Sequence, residues 1–283
     1  MYSRAMAAKT VLIVDDDPEI HALLKSMLKD SNWETESVLG GEEALALLKT
    51  EPFDIVLTDI LMPEMDGITL LSRIQAIRPG TRVLVMTAFN RPDRVAGSLR
   101  GQAAGYLTKP FSKDKLMESL DGALKCYMGP DDIEVISDKP NWISLNTRCK
   151  LETADRLTQF FHELPTDLSA EQRDMTATAF RELLINAIEH GGHLDPEKKV
   201  ELHFIRTARS LVYYLRDPGQ GFSMDKIPHA AISNPESPLA HAELREQLGI
   251  RPGGFGLLLL KNFADELIYS AKGNEVILIK HLL

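Results

Sequence analysis

The sequence predicts two domains: an N-terminal α/β domain with a parallel sheet between helices, and a C-terminal domain of mixed helices and strands. Over residues 9–125, short apolar runs alternate with segments of helical apolar spacing, which is typical of a parallel sheet. Turn and breaker residues fill positions 126–140 and predict a linker. Residues 141–283 carry a different pattern, with one long helix and two glycine-rich loops.

The composition disfavours several classes of protein. The chain has 283 residues, enough for two cores, and its formal net charge of -9 disfavours direct contact with nucleic acid. No run of about 18 apolar residues occurs, and Met1–Met6 lack the apolar core of a signal peptide. We therefore expect a cytoplasmic protein without a membrane partner. Cys126 and Cys149 lack metal-ligand spacing and are expected to be reduced thiols.

The first domain is predicted from five strands and the helices that follow them. The predicted strands are Val11–Val14, Trp33–Val38, Ile55–Leu57 with Asp59 closing it, Arg82–Met86 and Gly105–Thr108. Apolar residues at helical spacing predict helices over Glu19–Leu28, Gly41–Leu48 and Gly67–Ala76. Asp17, just before the first helix, is interpreted as a helix N-terminal acid.

Polar side chains follow four of these strands. Asp15 and Asp16, Asp59, Thr87 and Lys109 each close a different strand, and right-handed crossovers bring such positions to one edge of the sheet. A lone aspartate more often begins a turn or caps a helix. Convergence of several carboxylates, however, favours a cation, and an all-oxygen site suits Mg²⁺. With Mg²⁺ present, Asp59 could act as a nucleophile toward a phosphoryl group.

These motifs resemble a two-component receiver domain over about residues 9–125. The matching stretches, in order and spacing, are the acidic pair after the first strand, the turn Met62–Gly67 after Asp59, Met86–Ala88 and Tyr106–Phe111. The resemblance implies a flavodoxin-like, five-stranded, doubly wound parallel sheet.

The same resemblance assigns roles to individual residues. It implies that Asp59 accepts a phosphoryl group from an upstream histidine kinase in bacterial two-component signalling. Asp15, Asp16 and Asp59 would hold Mg²⁺, and Lys109 and Thr87 would contact the phosphoryl group. It also implies that Thr87 and Tyr106 move together as a switch.

The linker limits what the second half can be. The chain after Lys125 carries turn and breaker residues at Gly129–Asp132 and Ser137–Asn141, with little periodicity. A segment of this length cannot hold the helical hairpin on which a histidine kinase carries its own phosphorylated histidine. No helix-turn-helix candidate follows the first domain.

The second half is predicted to contain two amphipathic helices and several strands. Its expected elements are a strand over Trp142–Leu145, a helix over Leu151–Leu164, a helix from the N-cap Ser169 through His190, a strand over Leu211–Leu215 and a final hairpin over Glu266–Ala271 and Glu275–His281. The hairpin is assigned to the core. Ser223–Leu248 is expected to form a lid.

Polar residues along the long helix form one stripe beside its apolar arc. Glu182, Asn186 and His190 are spaced four residues apart. Asn186 is either a hydrogen-bonded structural amide or a ligand, and Glu182 is either an exposed acid or a functional one. His190, before Gly191, could equally cap the helix.

Two glycine-rich loops follow this helix. One is Asp217–Phe222, and the other is Arg251–Leu257, which opens a predicted helix. Glycines let backbone approach a ligand closely, and a glycine-rich turn into a helix N-terminus can hold phosphate. Either loop alone is also consistent with an ordinary turn.

Together, these features resemble the ATP-binding domain of histidine kinases, gyrase-type ATPases and bacterial anti-sigma-factor serine kinases, a two-layer α+β fold. The resemblance covers 141–283, and the compact form without a histidine hairpin is most similar to the serine kinases. It implies ATP and Mg²⁺ as cofactors, Asn186 as a metal ligand, Asp217 as the adenine acceptor and Glu182 as a catalytic base. The glycines of the two loops would shape the base pocket and wrap the phosphates, namely Gly219, Gly221, Gly253, Gly254 and Gly256.

The combined hypothesis is a response regulator with an enzymatic output. Phosphorylation of Asp59 would control an ATP-dependent serine/threonine kinase that acts on an anti-sigma-factor antagonist, with a sigma factor as a further partner. The alternative is a non-catalytic module that binds nucleotide and sequesters a sigma factor or other partner. The oligomeric state, including a homodimer, stays open.

Overall fold

A computed structural model describes residues 9–88, 97–125, 132–139, 141–164, 166–221 and 263–282 of the chain. The chain divides into two compact units, Met1–Met128 and Gly129–Leu283. Within the described residues, none of the helices combines the length and the apolar character needed to cross a bilayer.

The N-terminal unit is a parallel sheet with strand order β2-β1-β3-β4-β5. Its described elements are β1 (Lys9–Val14), α1 (Pro18–Leu28), β2 (Trp33–Val38), α2 (Gly41–Thr50), β3 (Ile55–Asp59), α3 (Gly67–Ile77), β4 (Arg82–Thr87), β5 (Gly105–Thr108) and α4 (Lys113–Lys125). The strand order places β1 and β3 side by side at the centre. This architecture confirms the predicted flavodoxin-like α/β fold.

The core of this unit explains why the central strands are almost wholly apolar. Helices cover both faces of a doubly wound sheet, so central strands have no solvated face. Val11, Ile13 and Leu57 are fully buried together with Leu24 of α1 and Leu116 of α4.

Two aspartates begin helices on this scaffold. The Asp17 carboxylate accepts a hydrogen bond from the Glu19 amide at 2.8 Å, and Asp66 accepts one from the Thr69 amide at 2.7 Å. Asp17, interpreted from the sequence as a helix N-terminal acid, is the N-cap of α1.

Glycine is required directly after the turn that follows β3. The Gly67 amide donates to the Ile60 carbonyl at 2.9 Å, and a Cβ on Gly67 would overlap the carbonyl of Asp59. The Pro/Gly turn therefore folds closely against the end of the strand that carries Asp59.

The C-terminal unit is an antiparallel sheet with strand order β10-β11-β9-β8-β7-β6, which packs against two helices. Its described elements are β6 (Ile133–Lys139), β7 (Trp142–Arg148), α5 (Leu151–Glu163), α6 (Ala170–Asn186), a π-turn (Ala187–Gly191), β8 (Lys199–Arg206), β9 (Ser210–Arg216), β10 (Glu266–Tyr269) and β11 (Glu275–His281). This is the predicted α+β arrangement of one sheet layer and one helix layer.

An aromatic cluster joins the two layers. Phe161 of α5 lies with its ring centroid 4.5 Å from that of Phe180 of α6 and 6.0 Å from that of Tyr213 of β9. Buried residues alternate along the strands, as expected when one face of a sheet meets the core. The long helix α6 is thereby held on this face, and Ser169 and Gln172 form a capping box at its start.

The structure corrects three details of the predicted element boundaries. Ile133–Lys139, assigned to the linker, form β6, which pairs with β7. A register shift between Val135 and Ser137 interrupts the two-residue period, so the strand shows no clear alternation in the sequence.

Strand β7 extends to Arg148, beyond the predicted end at Leu145. The α-helical part of the long helix ends at Asn186, and the chain continues as a π-turn instead of an α-helix through His190.

Candidate functional sites

The first candidate site lies at the carboxyl ends of the parallel strands. Asp15 follows β1, Asp59 is the last residue of β3 and Lys109 follows β5. The Lys109 Nζ atom lies 2.7 Å from Asp15 Oδ2 and 2.6 Å from Asp59 Oδ1. Asp15 and Asp59 are 2% and 6% exposed, so the ammonium group balances two carboxylates that water barely reaches.

Backbone amides hold the other oxygens of the two carboxylates. The Leu61 amide donates to Asp59 Oδ2 at 2.5 Å, and the Asp17 amide donates to Asp15 Oδ1 at 3.0 Å. Each carboxylate therefore has both oxygens occupied, and its orientation is set by the chain itself.

Burial and neighbouring charges shift the pKa values of Asp59 and Lys109. Burial raises the pKa of Asp59, and the hydrogen bond and charge of Lys109 offset only part of that effect. Burial lowers the pKa of Lys109, but its hydrogen bonds to Asp15 and Asp59 outweigh it and the pKa is raised. The ammonium stays charged beside a carboxylate that protonates more readily than an ordinary aspartate.

Three other predicted site residues occupy different environments. Asp16 is exposed, and its carboxylate makes no hydrogen bond or ion pair with the part of the chain that the structure describes. Thr87 is fully buried at the end of β4, and its carbonyl accepts a hydrogen bond from the Lys109 amide at 2.7 Å. Tyr106 of β5 is buried. Their roles as metal ligand and switch stay predictions.

The donor set at this site fits Mg²⁺. Proteins commonly bind Mg²⁺ through one or two carboxylates together with water and phosphate oxygens. Asp15 and Asp59 supply two such carboxylates at one sheet edge. Among the described residues, no cluster of three or more His, Cys, Asp and Glu side chains forms a closed metal cage.

The second candidate site lies in the C-terminal unit at the end of α6. Glu182 and Asn186 are both partly exposed, although Leu183, Leu184 and Ile185 between them are buried. Within the described ranges, neither side chain of the pair makes a hydrogen bond. Both side chains are therefore accessible to solvent, and the roles of Asn186 as a ligand and of Glu182 as a base stay predictions. His190 is exposed in the π-turn.

The π-turn brings the end of this helix against the first glycine loop. The Gly192 amide donates to the Ala187 carbonyl at 2.8 Å, which closes the wider turn. A Cβ on Gly191 would overlap the Asp217 carboxylate, and a Cβ on Gly219 would lie 2.9 Å from the Gly191 Cα. The close contact between the π-turn and the glycine loop therefore requires glycine at both 191 and 219. From the sequence, Gly191 was expected only to follow the end of a helix, although the Gly191-Gly192 doublet was a signal for close packing.

Asp217 is partly buried within this contact. Its Oδ1 atom accepts a hydrogen bond from the Gly219 amide at 2.7 Å. The pKa of Asp217 is raised above its ordinary value because of burial, and the Gly219 hydrogen bond and the charge of Lys272 offset only part of this increase. Gly221 has a φ of +79°, and a Cβ there would overlap the Lys272 carbonyl, so the loop needs this glycine too.

Two contacts of the β10–β11 hairpin to this loop were missed by the sequence analysis, which assigned the hairpin to the core. The Asp217 amide donates to the Asn274 carbonyl at 3.0 Å. The Lys272 Nζ atom donates to the Gly219 carbonyl at 3.2 Å. Contacts between residues so distant in sequence leave no local pattern, so nothing in the sequence pointed to them.

Part of the predicted nucleotide site lies outside the described residues. This applies to the phosphate-binding glycines Gly253, Gly254 and Gly256 and to the lid over Ser223–Leu248. Their assignment stays a prediction.

Comparison with known families and proteins agrees with both units. The model of the response regulator receiver domain matches residues 11–121, and the model of the histidine kinase-like ATPase domain matches residues 147–280. The chain is 38% identical over 114 residues to the transcriptional regulatory protein ZraR of Salmonella typhimurium, which covers 40% of this chain and 26% of ZraR. It is 39% identical over 116 residues to the transcriptional regulatory protein GlrR of Escherichia coli, covering 41% of this chain and 26% of GlrR. The chain thus spans well under half the length of these curated relatives.

Solved structures give similar matches. The receiver domain of the Francisella response regulator 1452 is 32% identical, with a TM-score of 0.39, and the match covers 41% of this chain and 97% of that one. The chemotaxis protein CheY4 of Vibrio cholerae is 30% identical, with a TM-score of 0.39, and covers 41% of this chain and 98% of its own. The two family models show that the chain carries a response regulator receiver domain followed by a histidine kinase-like ATPase domain.

Proposed function

We propose that phosphorylation of Asp59 by an upstream histidine kinase controls an ATP-dependent serine/threonine kinase activity of the C-terminal domain. The proposed substrate is an anti-sigma-factor antagonist with a serine or threonine acceptor, in a partner-switching pathway that also includes a sigma factor. The observation that carries the kinase proposal is the pair Glu182 and Asn186, one helical turn apart, partly exposed and without a hydrogen bond from the described residues.

In the receiver, Asp59 is the proposed nucleophile. One carboxylate oxygen would form a bond to phosphorus while the bond between phosphorus and the kinase histidine nitrogen breaks, and that nitrogen retains the electron pair. Mg²⁺ held by Asp15 and Asp59, with Asp16, would screen the negative charge of the incoming group. Lys109, already in contact with both carboxylates, would balance the charge that the phosphoryl group adds. The Thr87 hydroxyl is the proposed donor to a phosphoryl oxygen.

In the ATPase domain, Glu182 is the proposed base. Its carboxylate would take the proton from the substrate hydroxyl, whose oxygen attacks the γ-phosphorus while the bond to the ADP oxygen breaks. Asn186 would hold the Mg²⁺ of the nucleotide. Asp217 would accept a hydrogen bond from the adenine amino group, and the missing side chains of Gly219 and Gly221 let its loop pack closely against Gly191 and Lys272.

Phosphoryl transfer to purified antagonists from labelled ATP tests this proposal. We expect transfer by the wild type and a loss of about 100-fold or more in Glu182→Gln, because general base catalysis contributes roughly that much. ATP affinity should be retained in this variant. Glu171→Gln, an exposed acid in the first turn of the same helix, is the matched control.

Two results would contradict the kinase proposal. The first is equal transfer by the wild type and Glu182→Gln. The second is ATP binding without transfer to any antagonist, which would support the non-catalytic sequestering module instead.

A further inference from the structure

Asn274 contacts both backbone polar groups of Asp217. The Asp217 amide donates to the Asn274 carbonyl at 3.0 Å, and the Asn274 Nδ2 atom donates to the Asp217 carbonyl at 3.4 Å. Asn274 is 7% exposed, and a buried side-chain amide is retained at low cost only when it is hydrogen-bonded. Its position in the hairpin turn is therefore coupled to the position of Asp217.

The same hairpin contacts the loop on the far side of Asp217. Lys272 Nζ donates to the Gly219 carbonyl at 3.2 Å, and the Lys272 carbonyl lies against Gly221. From the opposite direction, the Asp217 carboxylate packs against Gly191 at the end of the π-turn. The hairpin thus holds the backbone of Asp217, while Gly191 and the Gly219 amide contact its carboxylate, so the direction of the carboxylate depends on both sets of contacts.

We propose that Asn274 is a positioning residue that aims the Asp217 carboxylate at the amino group of the bound purine base. Hydrogen bonds weaken steeply as their angle departs from linear. A small shift of the Asp217 backbone would therefore weaken the hydrogen bond between its carboxylate and the amino group of the base. In the proposed site, the triphosphate of the nucleotide would make no contact with Asp217. The inference rests on the proposed nucleotide site and adds that the hairpin, far along the chain from Asp217, sets its preference for the base.

Calorimetric titration of the full chain with ATP and with inorganic triphosphate separates positioning from general damage. Asn274→Ala removes the side-chain hydrogen bond and leaves the backbone one, so we expect ATP to bind about fivefold more weakly. Triphosphate affinity should not change. Asn146→Ala, an asparagine of β7 in the same sheet, is the control and should bind both ligands as the wild type does.

A double-mutant cycle tests whether Asn274 acts through Asp217. In an Asp217→Asn background, Asn274→Ala should cause no further loss of ATP affinity, because the group that it positions is already changed. Wild-type ATP affinity in Asn274→Ala, or an equal loss for ATP and triphosphate, would overturn the positioning role alone. Failure of the wild type to bind ATP would overturn the nucleotide site and the positioning role together.

Discussion

At the scale of single residues, the receiver site depends on one cation between two buried acids. Lys109, with its side chain 17% exposed, contacts Asp15 and Asp59 at 2.7 and 2.6 Å. Removing one member of a buried ion pair leaves an uncompensated charge. We expect Lys109→Met to destabilise the N-terminal unit by about 3 kcal/mol, a typical cost for such a loss. Urea unfolding in Mg²⁺-free buffer, followed by fluorescence of the buried Trp33 in a Trp142→Phe background, measures it.

The matched control for this change is Lys115→Met. Lys115 forms an ion pair with Glu118, whose side chain is 73% exposed, and exposed pairs contribute roughly 0–1 kcal/mol. If both lysine variants lost the same stability, the buried ion group would not be what stabilises this end of the sheet.

Asp59 also carries a prediction about pH. Because burial raises its pKa above the ordinary 3.8, Asp59 binds its proton at a higher pH in the folded protein than in the unfolded chain. As the pH falls, the ionised nucleophile is therefore lost at a higher pH than for an ordinary aspartate. Conversely, the contribution of Asp59 to the stability of the fold decreases as the pH rises from its unfolded pKa to its raised folded pKa. Carbon NMR of labelled aspartates, with Asp59→Asn to assign the signal, should give a midpoint above 3.8 in Mg²⁺-free buffer. A midpoint below 3.8 would show that the Lys109 charge outweighs burial.

At the scale of secondary-structure elements, His162 links α5 to α6. Its Nε2 atom lies 2.8 Å from Asp174 of α6, and its Nδ1 atom lies 3.4 Å from Glu163. The hydrogen bond to Glu163 and then that to Asp174 raise the pKa of His162, and burial opposes them only in part. A raised histidine pKa stabilises the fold below the unfolded pKa of about 6.5, and this contribution is lost as the pH rises through the folded value.

The pH dependence of His162→Gln tests this link between helices. We expect the variant to lose about 0.5–1 kcal/mol near pH 6 and less near pH 9, because the ion pairs are partly exposed. Hydrogen exchange of the α6 amides is the measurement, since it follows the helix within the full chain. A loss that is the same at both pH values would mean that His162 contributes through packing and not through its charge.

At the scale of the whole molecule, the central prediction is that the two domains are coupled. Phosphoryl transfer or ATP turnover should change by about fivefold or more when an acyl phosphate is added to the wild type, since coupling free energies of 1–3 kcal/mol are usual. Asp59→Ala should not respond. Equal rates for the wild type and Asp59→Ala, each with and without acyl phosphate, would contradict control of the C-terminal domain by Asp59. A response that persists in Asp59→Ala would show that the acyl phosphate acts at a residue other than Asp59.

The sequence alone was sufficient for the domain order and for the residues at the sheet edge. Strand β3 is a continuous apolar run that ends in Asp59, and Lys109 follows another short strand, so both signals are local. Because parallel strands connected by right-handed crossovers must point the same way, these local signals also predicted that Asp15, Asp59 and Lys109 meet.

Only the tertiary structure decided how the second site is assembled. The Asn274 amide reaches Asp217 across 57 positions of sequence, and Gly191 meets the Asp217 carboxylate only because a π-turn replaces the last α-helical turn. Strand β6 likewise was recognised only from its pairing with β7. Such contacts form because distant segments pack against each other. The periodicity of either segment alone reports only its own secondary structure, so it does not predict which segments will pack together.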